Sequence, residues 1–224
     1  MPKLILLLVT LMGIQFISTA QEAKWVLHGG YQLTSVKYKV KGVEQNTSYK
    51  PGFVAGTSLK IQFENRMYFF PTVQYSLKGY KVDLVEKAYP PSTLAYNNNT
   101  TIHTIDFAPL FQFDFSYKPS HVFLRFGPVF DYAFAGKETF DIIDSSGYPA
   151  TIHQDMAFKY SGYGRFTASV VGHFGYQTDK GFMIFAHYNY GIGSMNNADE
   201  GPQILHRIAG ISVGYLFGGK KSKP

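Results

Sequence analysis

The chain contains no cysteine. A disulfide-stapled secreted scaffold is therefore excluded, as are a thiolate nucleophile, a thiolate metal ligand and a lipid-modified N-terminal cysteine. Charge is also sparse, at 16% of residues, with 21 Lys+Arg against 15 Asp+Glu. The excess of basic residues is dispersed along the chain and clusters only in Lys220-Lys221-Ser222-Lys223. This pattern fits a solvated tail and gives no nucleic-acid footprint, so no nucleic-acid partner is expected. Tryptophan occurs once, and no Gly-rich phosphate loop or histidine pair with zinc-helix spacing is found. Catalytic residues, cofactor and metal are accordingly all expected to be none, and the chain is not read as an enzyme. Beyond the N-terminus no apolar run approaches the ~20 residues of a membrane-spanning helix.

That N-terminus has its own character. Lys3 precedes an apolar run from Leu4 to Phe16, and Ser18-Thr19-Ala20 supplies the small residues that a signal peptidase reads. Residues 1–20 are expected to be a secretory signal peptide cleaved after Ala20, leaving an exported domain of about 200 residues. Residues 21–217 are expected to form that domain and 218–224 a basic periplasmic tail.

Aromatic content is high, at 17%, with 20 Phe and 17 Tyr. These residues alternate. Phe53, Ala55, Thr57, Leu59, Ile61 and Phe63 share one parity, while Lys60, Gln62 and Glu64 share the other. Ile105, Phe107, Pro109, Phe111, Phe113 and Phe115 form a second apolar row, opposed by Asp106, Gln112 and Asp114. Alternate side chains of a strand point to opposite faces, so each segment separates an apolar medium from a polar one. The same test gives eight strands: Trp25–Lys39, Lys50–Glu64, Arg66–Lys81, Ile102–Tyr117, His121–Gly136, Lys159–Gln177, Phe182–Ser194 and Gln203–Phe217.

The connections alternate in length. Glu64-Asn65-Arg66, Lys118-Pro119-Ser120 and Thr178-Asp179-Lys180-Gly181 are tight, whereas Val40–Tyr49, Val82–Thr101, Lys137–Phe158 and Met195–Pro202 are long. Short periplasmic turns and long extracellular loops are the habit of outer-membrane barrels. The fold expected is all-β: an eight-stranded antiparallel up-and-down transmembrane β-barrel, closed because an open edge in hydrocarbon leaves backbone groups unpaired. Pro71, Pro109 and Pro128 fall inside strands on the lipid-facing parity, where bulges are expected.

Inward parity collects a candidate lumen network: Lys60, Glu64, Asp106, Asp114, Arg125, Asp131, Arg165 and His187, the arginines expected to bind carboxylates in bidentate fashion. Outward parity collects a candidate aromatic girdle. Trp25, Phe63, Phe115, Tyr176 and Phe217 lie toward the periplasmic end, and Tyr132, Tyr188 and Tyr190 toward the outer end.

Three segments then suggest a family. Ile105-Asp106-Phe107-Ala108-Pro109-Leu110, Phe123-Leu124-Arg125-Phe126-Gly127-Pro128 and the closing Ile211-Ser212-Val213-Gly214-Tyr215-Leu216-Phe217 occur in one order. Together they make the chain resemble the small porin-family or PorT-like outer-membrane β-barrels of Bacteroidota. The resemblance implies an outer-membrane barrel with no catalytic residues to carry over, and admits a secretion-accessory role. The last strand also resembles the signal read by the barrel-assembly machinery, although Phe217 is not terminal.

The partners expected are thus the outer-membrane bilayer, the assembly machinery, and an extracellular ligand at loops 82–101 and 137–158. The favoured role is structural or interactive, through the loops, with a polar side-chain-filled lumen. A narrow porin-like channel is the alternative. A soluble lipocalin-like carrier, with its apolar stripe turned inward, is a further one.

Overall fold

The computed structural model describes residues 23–218. The expected signal peptide and nearly all of the basic tail lie outside them. Eleven strands follow in order: β1 (Lys24–Val40), β2 (Val43–Glu44), β3 (Asn46–Ser48), β4 (Lys50–Glu64), β5 (Met67–Asp83), β6 (Asn97–Asp114), β7 (His121–Ile143), β8 (Pro149–Asp155), β9 (Phe166–Gln177), β10 (Phe182–Gly191) and β11 (Gln203–Leu216). Eight of them are staves, each antiparallel to its neighbours in the order β11-β10-β9-β7-β6-β5-β4-β1, and β11 pairs back onto β1 to close the ring. The other three, β2, β3 and β8, extend β1, β5 and β7 at the extracellular end. Following paired residues from stave to stave once around returns to β1 about ten residues further along. With ~3.3 Å per residue and ~4.8 Å between strands, that stagger tilts the staves by about 40°.

The phenylalanine rows face outward. Phe107, Phe111, Phe126, Phe130, Ile184, Ile211 and Val213 are all exposed, while Lys60, Lys78, Asp106, Asp114, Arg125 and Asp131 are buried inside. A soluble carrier needs the reverse arrangement, and that alternative fails on this point.

Several boundaries differ from the expected ones. Asn97-Asn98-Asn99-Thr100-Thr101, read as loop, belongs to β6, paired with β5 on one side and, from Asn99, with β7 on the other. The loop between β5 and β6 shortens to residues 84–96. Residues 137–158 hold the end of β7 and all of β8, and β9 begins at Phe166 rather than Lys159.

The prolines do not bulge their strands. Pro71 pairs with Pro109, and the pairs on either side, Phe107↔Phe130 and Phe111↔Phe126, place Pro109 across from Pro128. Two facing prolines remove both donors of one ladder ring, so the ladder opens there while its register holds. The β6–β7 register shift falls instead where His103 pairs Ala135 and Thr104 pairs Ala133, leaving Phe134 as the inserted residue.

Two apolar clusters occupy the interior. One lies within the membrane-spanning barrel and includes Phe70, Leu110, Phe123, Val171, Met183 and Phe185. The other fills the extracellular extension and includes Val36, Tyr38, Tyr80, Ile102, Phe140, Tyr163 and Ile204.

Candidate functional site

The interior is stacked in layers. At the periplasmic mouth an open vestibule of about 780 Å³ is lined by Arg66, Tyr68, His121 and Lys180, among others, and narrows to Lys60 and Asp114. Lys60 Nζ donates to Asp114 Oδ2 at 2.7 Å and to Gln177 Oε1 at 3.2 Å, and sits 4.1 Å from the Tyr68 ring centroid. His121 Nε2 lies 3.0 Å from the same carboxylate oxygen. Gln112 Nε2 donates to Asp114 Oδ1 at 2.6 Å, which ties this layer to the next.

In that second layer Arg125 is 2% exposed and, among the described residues, has no carboxylate at ion-pair distance. Its Nε and Nη2 donate to Gln112 Oε1 at 3.1 and 2.7 Å, and Nη1 lies 3.3 Å from His173 Nδ1. The guanidinium packs 3.5 Å from the Phe70 centroid, with Phe123 at 4.9 Å and Phe185 at 5.3 Å. The expected bidentate carboxylate is replaced by one amide oxygen and an aromatic box, a setting that suits a weakly hydrated cation.

The third layer centres on Lys78. Its Nζ donates to Asp131 Oδ1 at 2.8 Å and to Asp106 Oδ1 at 3.1 Å. These aspartates face each other across the β6–β7 pair. Thr104 and Gln74 also donate to Asp106, and Thr167 to Asp131, so both carboxylates are held by neutral donors as well as by the ammonium. Beside this layer His28, His187 and Asn189 help line a cavity of only about 20 Å³, room for about one water.

Above it the extension closes the extracellular end. Glu138 is 1% exposed. It accepts from Tyr163 Oη at 2.6 Å, Gln154 Nε2 at 2.8 Å and Asn98 Nδ2 at 3.3 Å. Burial first, then Tyr80 and Glu138 beside it, hold the Tyr163 phenol well above its ordinary pKa, which keeps it a donor. Tyr38 Oη donates to Pro90 O at 3.1 Å, tying the loop between β5 and β6 to β1. The outer surface of this region exposes Val85, Leu94, Tyr148 and Tyr160.

Six of the eight expected lumen residues occupy these layers: Lys60, Asp106, Asp114, Arg125, Asp131 and His187. Glu64 is exposed at the β4–β5 turn, where the β4 register shifts between Gln62 and Glu64 and carries the strand end out of the barrel. Arg165 precedes β9, and its Nη1 donates to the carbonyls of Ala133 and Phe134 at 3.0 and 3.2 Å, capping backbone freed by the bulge. Inward parity also places Lys78 and Gln112 in the lumen, but which residues they and Gln177 meet is set by register. Trp25, Phe63, Phe115, Tyr132, Tyr176, Tyr188, Tyr190 and Phe217 are all exposed on the outside.

A closed antiparallel ring with apolar outer and charged inner faces can be stable only where its surround is hydrocarbon, so its class is the transmembrane β-barrel. More particularly, the chain belongs to the family described as outer membrane protein beta-barrel domain, whose model matches residues 19–197. It is an outer-membrane β-barrel protein. Among solved structures it is similar to Ail, the attachment invasion locus protein of Yersinia pestis, at 13% identity and TM-score 0.44, over 88% of this chain and 99% of that one. OprG from Pseudomonas aeruginosa gives 11% identity and TM-score 0.46, over 89% and 98%. Neisserial surface protein A gives 12% and 0.42, over 88% and 98%. No curated protein sequence matches.

Proposed function

We propose that this barrel has a structural or interaction role exercised through its extracellular loops, its lumen serving as a filled polar core. The observation that carries this reading is the contrast between the two ends. The cavity beside the Lys78 layer holds about one water, while the extracellular extension is folded around its own apolar cluster and tipped with exposed Val85, Leu94, Tyr148 and Tyr160. Exposed apolar groups of this kind suit contact with an envelope partner or an extracellular ligand, at residues 82–101 and 137–158.

The aromatic residues at the two ends of the outward face act as interface anchors. Residues 1–20 are removed after Ala20, and β11 is read by the barrel-assembly machinery. The Bacteroidota setting and a PorT-like accessory role in secretion follow from the family resemblance alone. Comparing secreted proteins with and without this chain tests the latter, and unchanged secretion would remove it.

Planar-bilayer recording of the refolded chain decides between a filled core and a narrow channel. Silence is the expected result. Reproducible single-channel steps that survive in Lys78→Met would establish an open path and defeat the filled-core reading. Mass spectrometry of the purified protein is expected to find Gln21 as its first residue.

A further inference from the structure

The outward face changes character abruptly toward the extracellular end. On β1 the outward parity runs Tyr31, Leu33, Ser35, Lys37, Lys39, with the small Ser35 itself buried, and on β11 it runs Ile211, Ala209, Arg207. Lys81 on β5 and Lys137 on β7 occupy the equivalent height beyond Leu77 and Phe134. The apolar band is thus bounded by cations at the level of the outer-leaflet headgroups.

Over the β1–β11 seam these cations converge. Arg207 pairs with Ser35, and Leu205 with Lys37, which sets Arg207 diagonally beside Lys37, with Lys39 one step further out. Residues in such diagonal positions stand ~7–8 Å apart. Arg207 is held in place: its guanidinium lies 3.7 Å from the Tyr190 ring centroid, and Nη1 donates to the carbonyls of His206 and Gly191 at 2.7 and 3.1 Å. Below it Ala209 sits between Leu33 and Tyr188, a small residue flanked by large ones. Above it Lys39 and Lys41 line a shallow recess of about 420 Å³ with Gln203 and Glu200. Two acids are near. Glu44 lies 3.6 Å from Lys37 with both side chains well exposed, and Glu200 stands on the lip of the recess.

We propose that this seam binds the phosphorylated glycolipid of the outer leaflet. A sugar phosphate is seated by Lys37, Lys39 and the fixed fork of Arg207, and an acyl chain lies along Leu33, Ala209 and Ile211. Guanidinium and phosphate match in bidentate geometry, and a membrane-surface cation facing an anionic lipid gains most where its own position is already fixed. The proposal rests on the outer-membrane setting and is independent of the loop-interaction reading.

The full chain, refolded in a neutral detergent, is incubated with lipid A, with the same lipid stripped of its phosphates, or with phosphatidylglycerol, and retained lipid is counted by native mass spectrometry. Lipid A is expected to be retained at least about tenfold more than its dephosphorylated form. Lys37→Gln/Lys39→Gln/Arg207→Gln is expected to abolish that preference while keeping the heat-modifiable gel mobility of a closed barrel. Lys81→Gln/Lys137→Gln, on the other side of the ring, should leave it within about twofold. Equal retention of the two forms of lipid A, or an unaltered preference in the triple variant, overturns the proposal. So does phosphatidylglycerol retained as well as lipid A, which would reduce the seam to a general anionic-headgroup contact.

Discussion

The charges buried within the membrane-spanning lumen balance in number: Lys60, Lys78 and Arg125 against Asp106, Asp114 and Asp131. They do not balance in place. Lys78 holds two carboxylates, whereas Arg125 reaches Asp114 only through Gln112. This uneven layout predicts unequal mutational costs. Lys78→Met leaves two carboxylates facing each other in a closed lumen and is expected to cost about 3–5 kcal/mol. Asp131→Asn removes only the surplus charge and retains an acceptor, so its cost is expected within about 1 kcal/mol. Urea titration of both variants refolded in lipid vesicles measures the difference. Equal losses would mean that the two aspartates are not competing for one ammonium. At this scale parity placed six of the eight expected residues in the lumen and failed for Glu64 and Arg165, where a register shift and a strand end break the alternation. It did not show that Gln112 would stand where a carboxylate was expected, because partners inside a barrel follow from stagger, and stagger belongs to the whole ring.

At the scale of the strand, the phase of alternation carries the boundary of the membrane. On the lower part of β1 the outward residues are apolar; from Val36 onward Val36, Tyr38 and Val40 turn inward while Lys37 and Lys39 turn out. Tyr80 and Val82 against Lys81 and Asp83 repeat the inversion on β5. The staves thus continue past the bilayer as an ordinary water-facing sheet around an apolar core. This explains why Asn97–Thr101 read as loop: its outward residues face water, and the lipid signature stops below them. Backbone proximity sets a second strand-scale test. A Cβ placed on Gly56 would stand 2.5 Å from Val73 O and 2.7 Å from the Gln74 Cα. Gly56→Ala must therefore shift β4 against β5, at an expected cost of about 1–3 kcal/mol in the same urea titration. The β7–β8 hairpin supplies a third. Hydrogen bonds from Thr151 and Asn97, at 2.6 and 2.7 Å, hold the Asp141 carboxyl below its usual pKa. A lowered pKa stabilises the hairpin above the ordinary carboxylate range, and that stabilisation is lost as pH falls from that range through the lowered value. Amide exchange in residues 141–155 is expected to quicken, relative to the barrel, on acidification below the ordinary carboxylate range.

The molecule consists of a closed ring of staves carrying a folded extension, and the two have separate apolar clusters. Closure of the cylinder depends on the β11–β1 seam, paired continuously from Val26↔Leu216 to Lys39↔Gln203. The extension depends on contacts that never enter the membrane: Tyr96 N donates to Asp141 O at 3.1 Å, Leu84 N to Tyr96 O at 2.8 Å, and Ala95 bridges Ile142. Replacing residues 141–152 with a two-residue turn removes the partner of the 84–96 loop and leaves every lumen layer intact. The shortened protein is therefore expected to keep heat-modifiable mobility and outer-membrane residence, while limited proteolysis cuts it within residues 84–96 far faster than the parent. Loss of the mobility shift would mean that the extension helps to close the ring. Retained protease resistance would mean that the loop is held by β1 and its Tyr38–Pro90 tie instead. With the expected pair of outcomes, the loops can be varied without endangering the barrel, as the loop-interaction role proposed above requires.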